Sequence, residues 1–307
     1  MVAPELPLEM WSTILSNVDN PDDRECESEF QQYRLINKTA CAAATPRAFA
    51  RVTVDETLAN AKGLRDLVKR PDLAKHVRVL ACRGAERPTY DDLHDSPSEV
   101  PNIPSYDAWK PLVEAFSLLP ALTSLQTLLI AFDPTTKDTK FQFALLEAMA
   151  LAYADVAPPI RSLTIDYLAP VSHDLFKMPG FQNILQPLTD LRLGIGCMVT
   201  EDSLWGRTLR DSILGAATSL QSLTLYHMPA PDIDIFATLK FPALRHLDTH
   251  NTGVDMRNFT GRHDGVKGWI VSLSMVNSYE KGQRVSSMSL RRMGGLRLPY
   301  PACLEDY

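Results

Sequence analysis

The sequence predicts an α/β fold: a small three-helix module over residues 1–54, then a larger domain over residues 55–307. The larger domain reads as an irregular solenoid of parallel strands with helices on its convex side. Three observations predict this. Two apolar segments, LPLEMWSTIL and YRLINKTACAAATPRAF, have helical spacing and lie within the first fifty residues. One spelling, apolar-x-x-Leu-x-apolar, recurs from Leu125 to Thr249. Helical stretches separate the copies, as parallel strands require of their crossovers.

The N-terminal module comes first. Pro7 suits a first helical turn, where its missing N–H costs nothing, and Glu9 suits the positive helix start. Trp11, Ile14, Leu15 and Val18 recur on one helical face, and Leu8 and Met10 widen the apolar surface. Asp19-Asn20-Pro21 signals a turn. Phe30, Tyr33, Leu35 and Ile36 form a second apolar patch. Asn37 can cap the short helix TACAAAT, which is expected to stop before Pro46. So few residues cannot bury all these side chains alone. The surplus must pack against the rest of the chain or against a partner.

Beyond the module, residues 57–69 read as a helix and HVRVLACR as a strand. A polar, proline-rich stretch over 87–107 reads as an exposed loop. Residues 109–119 are helical, and FQFALLEAMALAYADV is the clearest helix, with Leu145, Leu146, Met149 and Tyr153 on one face. Further helical stretches fall around 172–186, 203–217 and 231–240.

The repeated strand motif is spelled Leu125/Leu128/Ile130, Ile160/Leu163/Ile165, Leu188/Leu191/Leu193 and Leu220/Leu223/Leu225. Leu244/Leu247 repeats it with Thr249 in the last place. First positions fall 24 to 35 residues apart. The motif resembles leucine-rich repeats, in an irregular and somewhat long form that mostly lacks the closing Asn or Cys. A doubly wound sheet is the rival arrangement, and periodicity does not separate the two. From about 253 to 307 the chain is glycine-rich, with WIVSLSMV and RVSSMSLRRM reading as strands around NSYEKGQ. That end is either a cap on the open solenoid or a truncated final repeat.

The N-terminal residues also resemble a known module. Leu6, Pro7, Glu9, Met10, Ile14, Leu15, Leu35, Ile36, Asn37 and Lys38 match the pattern of an F-box: Leu-Pro-x-Glu, Ile-Leu one turn on, then an apolar-Asn-Lys junction. AAATPRAFARVTV and PDLAKHVRVL resemble the segments that follow the box in fungal F-box proteins. The chain differs from the pattern in the long acidic stretch DNPDDRECESEF, and in carrying Ala44 and Phe49 where a tryptophan is common. The resemblance implies a substrate receptor of an SCF-type cullin–RING ubiquitin ligase, non-catalytic in itself. It implies a Skp-family adaptor as partner, with cullin recruited through it for ubiquitin-dependent protein degradation. Leu6, Pro7, Leu8, Met10, Ile14, Leu15, Leu35 and Ile36 are the expected adaptor-binding residues. The alternative is a protein-interaction scaffold whose box serves only assembly.

Composition is consistent with a globular protein: 45% hydrophobic and 22% charged residues. A net charge of −6 argues against nucleic-acid binding over the whole surface. Residues 1–30 are acidic and 257–300 basic, which gives either two solvated faces or a basic end that recruits an acidic or phosphorylated partner. No run has the length of a membrane span, and no signal peptide opens the chain. Five scattered cysteines without a CxxC pair suit a reducing compartment, cytoplasm or nucleus.

No HExxH, GxSxG, GxxxxGK[ST] or complete GxGxxG is present, so no catalytic residue, cofactor or metal is expected. Gly194-Ile195-Gly196 reads as a turn at a strand end. His246-x-Asp248-x-His250 has a spacing that suits zinc, but reads better as a polar strand face. Strand alternation instead places Leu129, Ala131, Thr164, Asp166, Arg192, Thr224, Tyr226, Asp248 and His250 on the concave surface. Asp166, Arg192, Tyr226, Asp248 and His250 are the expected target-binding residues, a mixed set suited to a protein or peptide.

Overall fold

The computed structural model describes residues 6–18, 30–55, 57–83, 106–132, 139–168, 174–195, 206–226 and 241–250, with strand segments at 269–270, 278–280, 283–285 and 287–292. The acidic stretch after the first helix, most of the expected 87–107 loop, the 231–240 helix and most of the glycine-rich end lie outside these residues.

Seven strands run parallel in one sheet: β1 (Arg51–Asp55), β2 (Val79–Arg83), β3 (Thr127–Ala131), β4 (Ser162–Leu168), β5 (Asp190–Ile195), β6 (Ser222–Tyr226) and β7 (His246–His250). Their order in space is their order in the chain. Right-handed crossovers that always step the same way put every connecting helix on one face. A doubly wound sheet needs a reversal of strand order, and these seven strands have none. The rival arrangement is thereby overturned.

Helices Leu58–Val68, Tyr106–Ser117, Lys140–Ala152 and Pro179–Leu185 form the covering layer, each packed against the next. The expected 172–186 helix is broken: a 3-10 turn at Leu175–Lys177 precedes Pro179, which starts the helix proper. Residues Thr208–Leu214 form a wide turn-and-a-half in which Gly215 N–H bonds Arg210 C=O at 2.9 Å, five residues back.

Between sheet and helices lies the core, and the repeated motif builds it. Leu128, Leu163, Leu191, Leu223 and Leu247 are in register across β3–β7, each at most 2% exposed. Ile130, Ile165, Leu193 and Leu225 form the next row, and the leading residues Leu125, Ile160, Leu188, Leu220 and Leu244 are fully buried. Burying each such side chain contributes about 2 kcal/mol. One copy escaped the sequence reading. Val77, Leu80 and Cys82 occupy the same three places in β2 and are buried in the same rows.

A backbone device repeats with the motif. The carbonyl just before a strand accepts two N–H groups from the next strand's entry. Ala50 C=O takes Arg78 and Val79; Arg78 C=O takes Gln126 and Thr127; Gln126 C=O takes Arg161 and Ser162. Arg161, Thr189 and Gln221 continue the ladder to Arg245 and His246, all at 2.7–3.1 Å.

At the far edge β11 (Ser287–Arg292) pairs antiparallel with β7, and β8 (Trp269–Ile270) antiparallel with β11. A separate antiparallel pair joins β9 (Ser278–Glu280) and β10 (Gln283–Val285). The parallel run therefore ends in a change of strand direction. No helix among the described residues is long and apolar enough to cross a membrane.

Candidate functional site

Two surfaces collect the residues singled out by the sequence. The first is the N-terminal module. Met10 and Trp11 N–H groups bond Pro7 C=O at 3.1 Å, which starts helix Leu8–Val18. The helix turns Trp11 and Leu15 inward, at 9% and 0% exposure. Leu15 then packs with Phe30, Ala44 and Ala48 in a small cluster distinct from the main core. Residues 30–33 are helical, and Asn37 caps the next helix, Lys38–Ala48, accepting Ala40 N–H at 2.7 Å. Small side chains on that helix, Ala40, Ala44 and Ala48, let it approach closely.

The expected stop before Pro46 is corrected: the helix runs on to Ala48. Proline removes one N–H, and so near a helix end the loss is one hydrogen bond. Phe49 N–H still reaches Thr45 C=O at 3.2 Å. Arg34 ties the pieces together. Its Nε donates to Thr45 Oγ1 at 3.1 Å, its Nη1 to Gln31 Oε1 at 2.8 Å, and its guanidinium lies 4.8 Å over the Phe49 ring.

With that interior filled, five apolar side chains of the module face outward: Leu8 (45%), Met10 (51%), Ile14 (38%), Leu35 (86%) and Ile36 (55%). Pro7 is exposed and Leu6 half-buried beside them. Leu15 parts from the expected adaptor-binding set: fully buried, it holds the module together and is not presented outward. Ile14 likewise faces outward, although helical spacing grouped it with the buried Trp11.

The second surface is the open face of the sheet. Arg192 lies beside Thr224, and Thr224 beside Asp248, in lateral register. Tyr226 lies between Gly194 and His250. The arrangement depends on an irregularity in β4. Its register with β5 shifts between Ile165 and Leu168, and Tyr167 takes φ 58°, a conformation bulky residues avoid. Phe132 N–H bonds Asp166 C=O at 3.1 Å, and the buried Gln142 donates Nε2–H to Tyr167 C=O at 3.4 Å, which hold the bulge.

The bulge leaves the Asp166 carboxylate lying over Gly194, where a Cβ would come within 3.1 Å of its Oδ1. From there Asp166 reaches Arg192 Nε at 3.5 Å. The Arg192 guanidinium lies 4.2 Å over the Tyr226 ring. Partial burial raises the Tyr226 pKa; Arg192 opposes the rise, and Asp166 and Asp248 add to it. The phenol is therefore neutral near pH 7, a hydrogen-bond donor and not a nucleophile. Among the described residues no three His, Cys, Asp or Glu side chains converge as a metal site. Held from the side by a carboxylate and from the face by an aromatic ring, Arg192 is a fixed cation on an open surface, a geometry for recognition.

Gly194 and the β4 bulge were missed by the sequence reading. Gly194 is not a turn residue but sits inside β5. The signal was available: glycine within a strand pattern marks a bulge or a close approach. No protein-family model matches the chain, and no curated protein matches its sequence.

Proposed function

We propose that this chain is a substrate-recognition subunit of an SCF-type cullin–RING ubiquitin ligase. In this reading the N-terminal module is an F-box that docks on a Skp-family adaptor. The sheet domain is a degenerate leucine-rich-repeat array whose open face, around Asp166, Arg192, Tyr226, Asp248 and His250, holds a protein target. The chain performs no chemistry. It raises the effective concentration of a target lysine near the loaded conjugating enzyme.

The observation that carries the reading is the module's outward apolar set, Leu8, Met10, Ile14, Leu35 and Ile36. Those side chains expose apolar area on a module whose own interior is already filled, and exposed apolar area of this kind suits an interaction site. The chain-ordered parallel strands and the buried motif rows support the repeat-array part of the reading.

Co-expression with a Skp-family adaptor tests it. The wild-type chain is expected to co-purify with the adaptor and, through it, with cullin. Leu35→Asp with Ile36→Asp is expected to abolish co-purification while leaving the circular dichroism spectrum unchanged, because both side chains are solvent-facing. Unchanged capture by the double variant overturns the assignment. Adaptor capture without cullin marks a scaffold instead.

A further inference from the structure

The hydrogen-bond ladder that joins the strand entries also aligns a row of side chains. Arg78, Gln126, Arg161, Thr189, Gln221 and Arg245 succeed one another along the N-terminal rim of the sheet. All are exposed except Thr189, which is half-buried. The rim is basic in a chain of net charge −6. From three residues before each of β2–β7 through its first residue, the described rim carries Arg78, Arg161 and Arg245, His76 and His246, and one carboxylate, Asp190. Asp190 is engaged locally, accepting Thr189 Oγ1–H at 2.7 Å. At the β2 end, exposed Lys69, Arg70 and Lys75 extend the row, with Asp72 on Arg70 at 3.0 Å. Arg78, Arg161 and Arg245 form no ion pair among the described residues.

We propose that this rim is a docking strip for an acidic, extended segment of a partner protein. The charge complementarity is set by position as well as by sign. Strands in a sheet are about 4.8 Å apart. Arg78 and Arg161 are two strands apart and Arg161 and Arg245 three, hence about 10 Å and about 14 Å along the rim. An extended chain advances about 3.4 Å per residue with alternate side chains on one face, so about seven residues span the three arginines and every second one faces the rim. The strip uses none of the residues assigned to the outward apolar set or to the open face, and the inference does not rest on the ligase reading.

The test uses the full chain and a fluorescein-labelled twelve-residue polyglutamate peptide at low ionic strength, read by anisotropy. Binding is expected, and is expected to be lost at high salt. Arg78→Gln, Arg161→Gln and Arg245→Gln together are expected to weaken it at least ten-fold. Lys62→Gln, Lys110→Gln and Lys177→Gln, equal in charge but on helical segments, are expected to change it less than two-fold. A peptide with glutamates at positions 1, 3, 5 and 7 in a Gly/Ser background is expected to outcompete one with four adjacent glutamates. Three results overturn the proposal: no binding by the wild-type chain, equal weakening in the two triple variants, or tighter binding of a twelve-nucleotide single-stranded DNA.

Discussion

Gly180 shows how much one atom can decide. It opens the Pro179–Leu185 helix against the end of Lys140–Ala152, and a Cβ there would overlap the Ala150 carbonyl and crowd Ala154 N. The obstruction is backbone, so no rotamer change relieves it. Gly180→Ala is expected to destabilise the protein by about 2–3 kcal/mol, despite alanine's better helix propensity. A urea titration measures this; a midpoint at or above that of the wild type would show that the helices separate freely. Asn183, one turn on, fixes the same contact by donating Nδ2–H to Tyr153 and Ala154 carbonyls at 3.0 Å. Tyr153 itself is fully buried, and its hydroxyl has no hydrogen-bond partner among the described residues. Burial pushes its pKa far above the usual tyrosine value.

Elements form here where local signals agree with the packing. Helix Lys38–Ala48 has little amphipathic contrast, a proline near its end and an Asn cap. The cap therefore carries much of its definition. Asn37→Ala is expected to cost about 1 kcal/mol and to speed amide exchange in the first turn of that helix. Unaltered exchange at Ala40, whose N–H the cap accepts, would refute the role. The strands were legible for a related reason. In β4, β5 and β6 a face of Leu or Ile alternates with a mostly polar one, and a period of two follows from pleat geometry alone. What stayed illegible was relational. The Val77/Leu80/Cys82 copy lies 48 residues before Leu125, and this gap breaks the spacing that reveals the others. The Asp166–Arg192–Tyr226 cluster spans three strands, and its members meet only through the lateral register and the Tyr167 bulge. Strand order was equally hidden, because the direction in which each crossover steps, not the pattern within a strand, decides it.

At the scale of the molecule, the described residues hold two apolar clusters built on different plans. The main core runs without interruption from Val54 to Leu247, and each row is supported by the next. The N-terminal cluster rests on Leu15, Phe30, Ala44 and Ala48, with Tyr33, Ala43 and Phe49 at its margin. A core so small has few contacts to lose before it opens. Leu15→Ala is expected to deprotect the amides of Lys38–Ala48 by hydrogen exchange while β3–β5 keep their wild-type protection. The lost side chain is worth about 3 kcal/mol, enough to open the small cluster alone. Uniform deprotection of both regions would show that they unfold as one body.

The ladder of carbonyls has one more consequence, for how such a chain can change length. The rung from Gln126 to Arg161 is closed by a 35-residue excursion and the rung from Arg161 to Thr189 by one of 28, yet each closes with the same pair of hydrogen bonds. The frame therefore sets the start of each excursion and its return, and is indifferent to what lies between. Insertions and deletions can accumulate in the crossings without moving a single strand. A one-residue change inside a strand would turn that strand's apolar side chains out of the core.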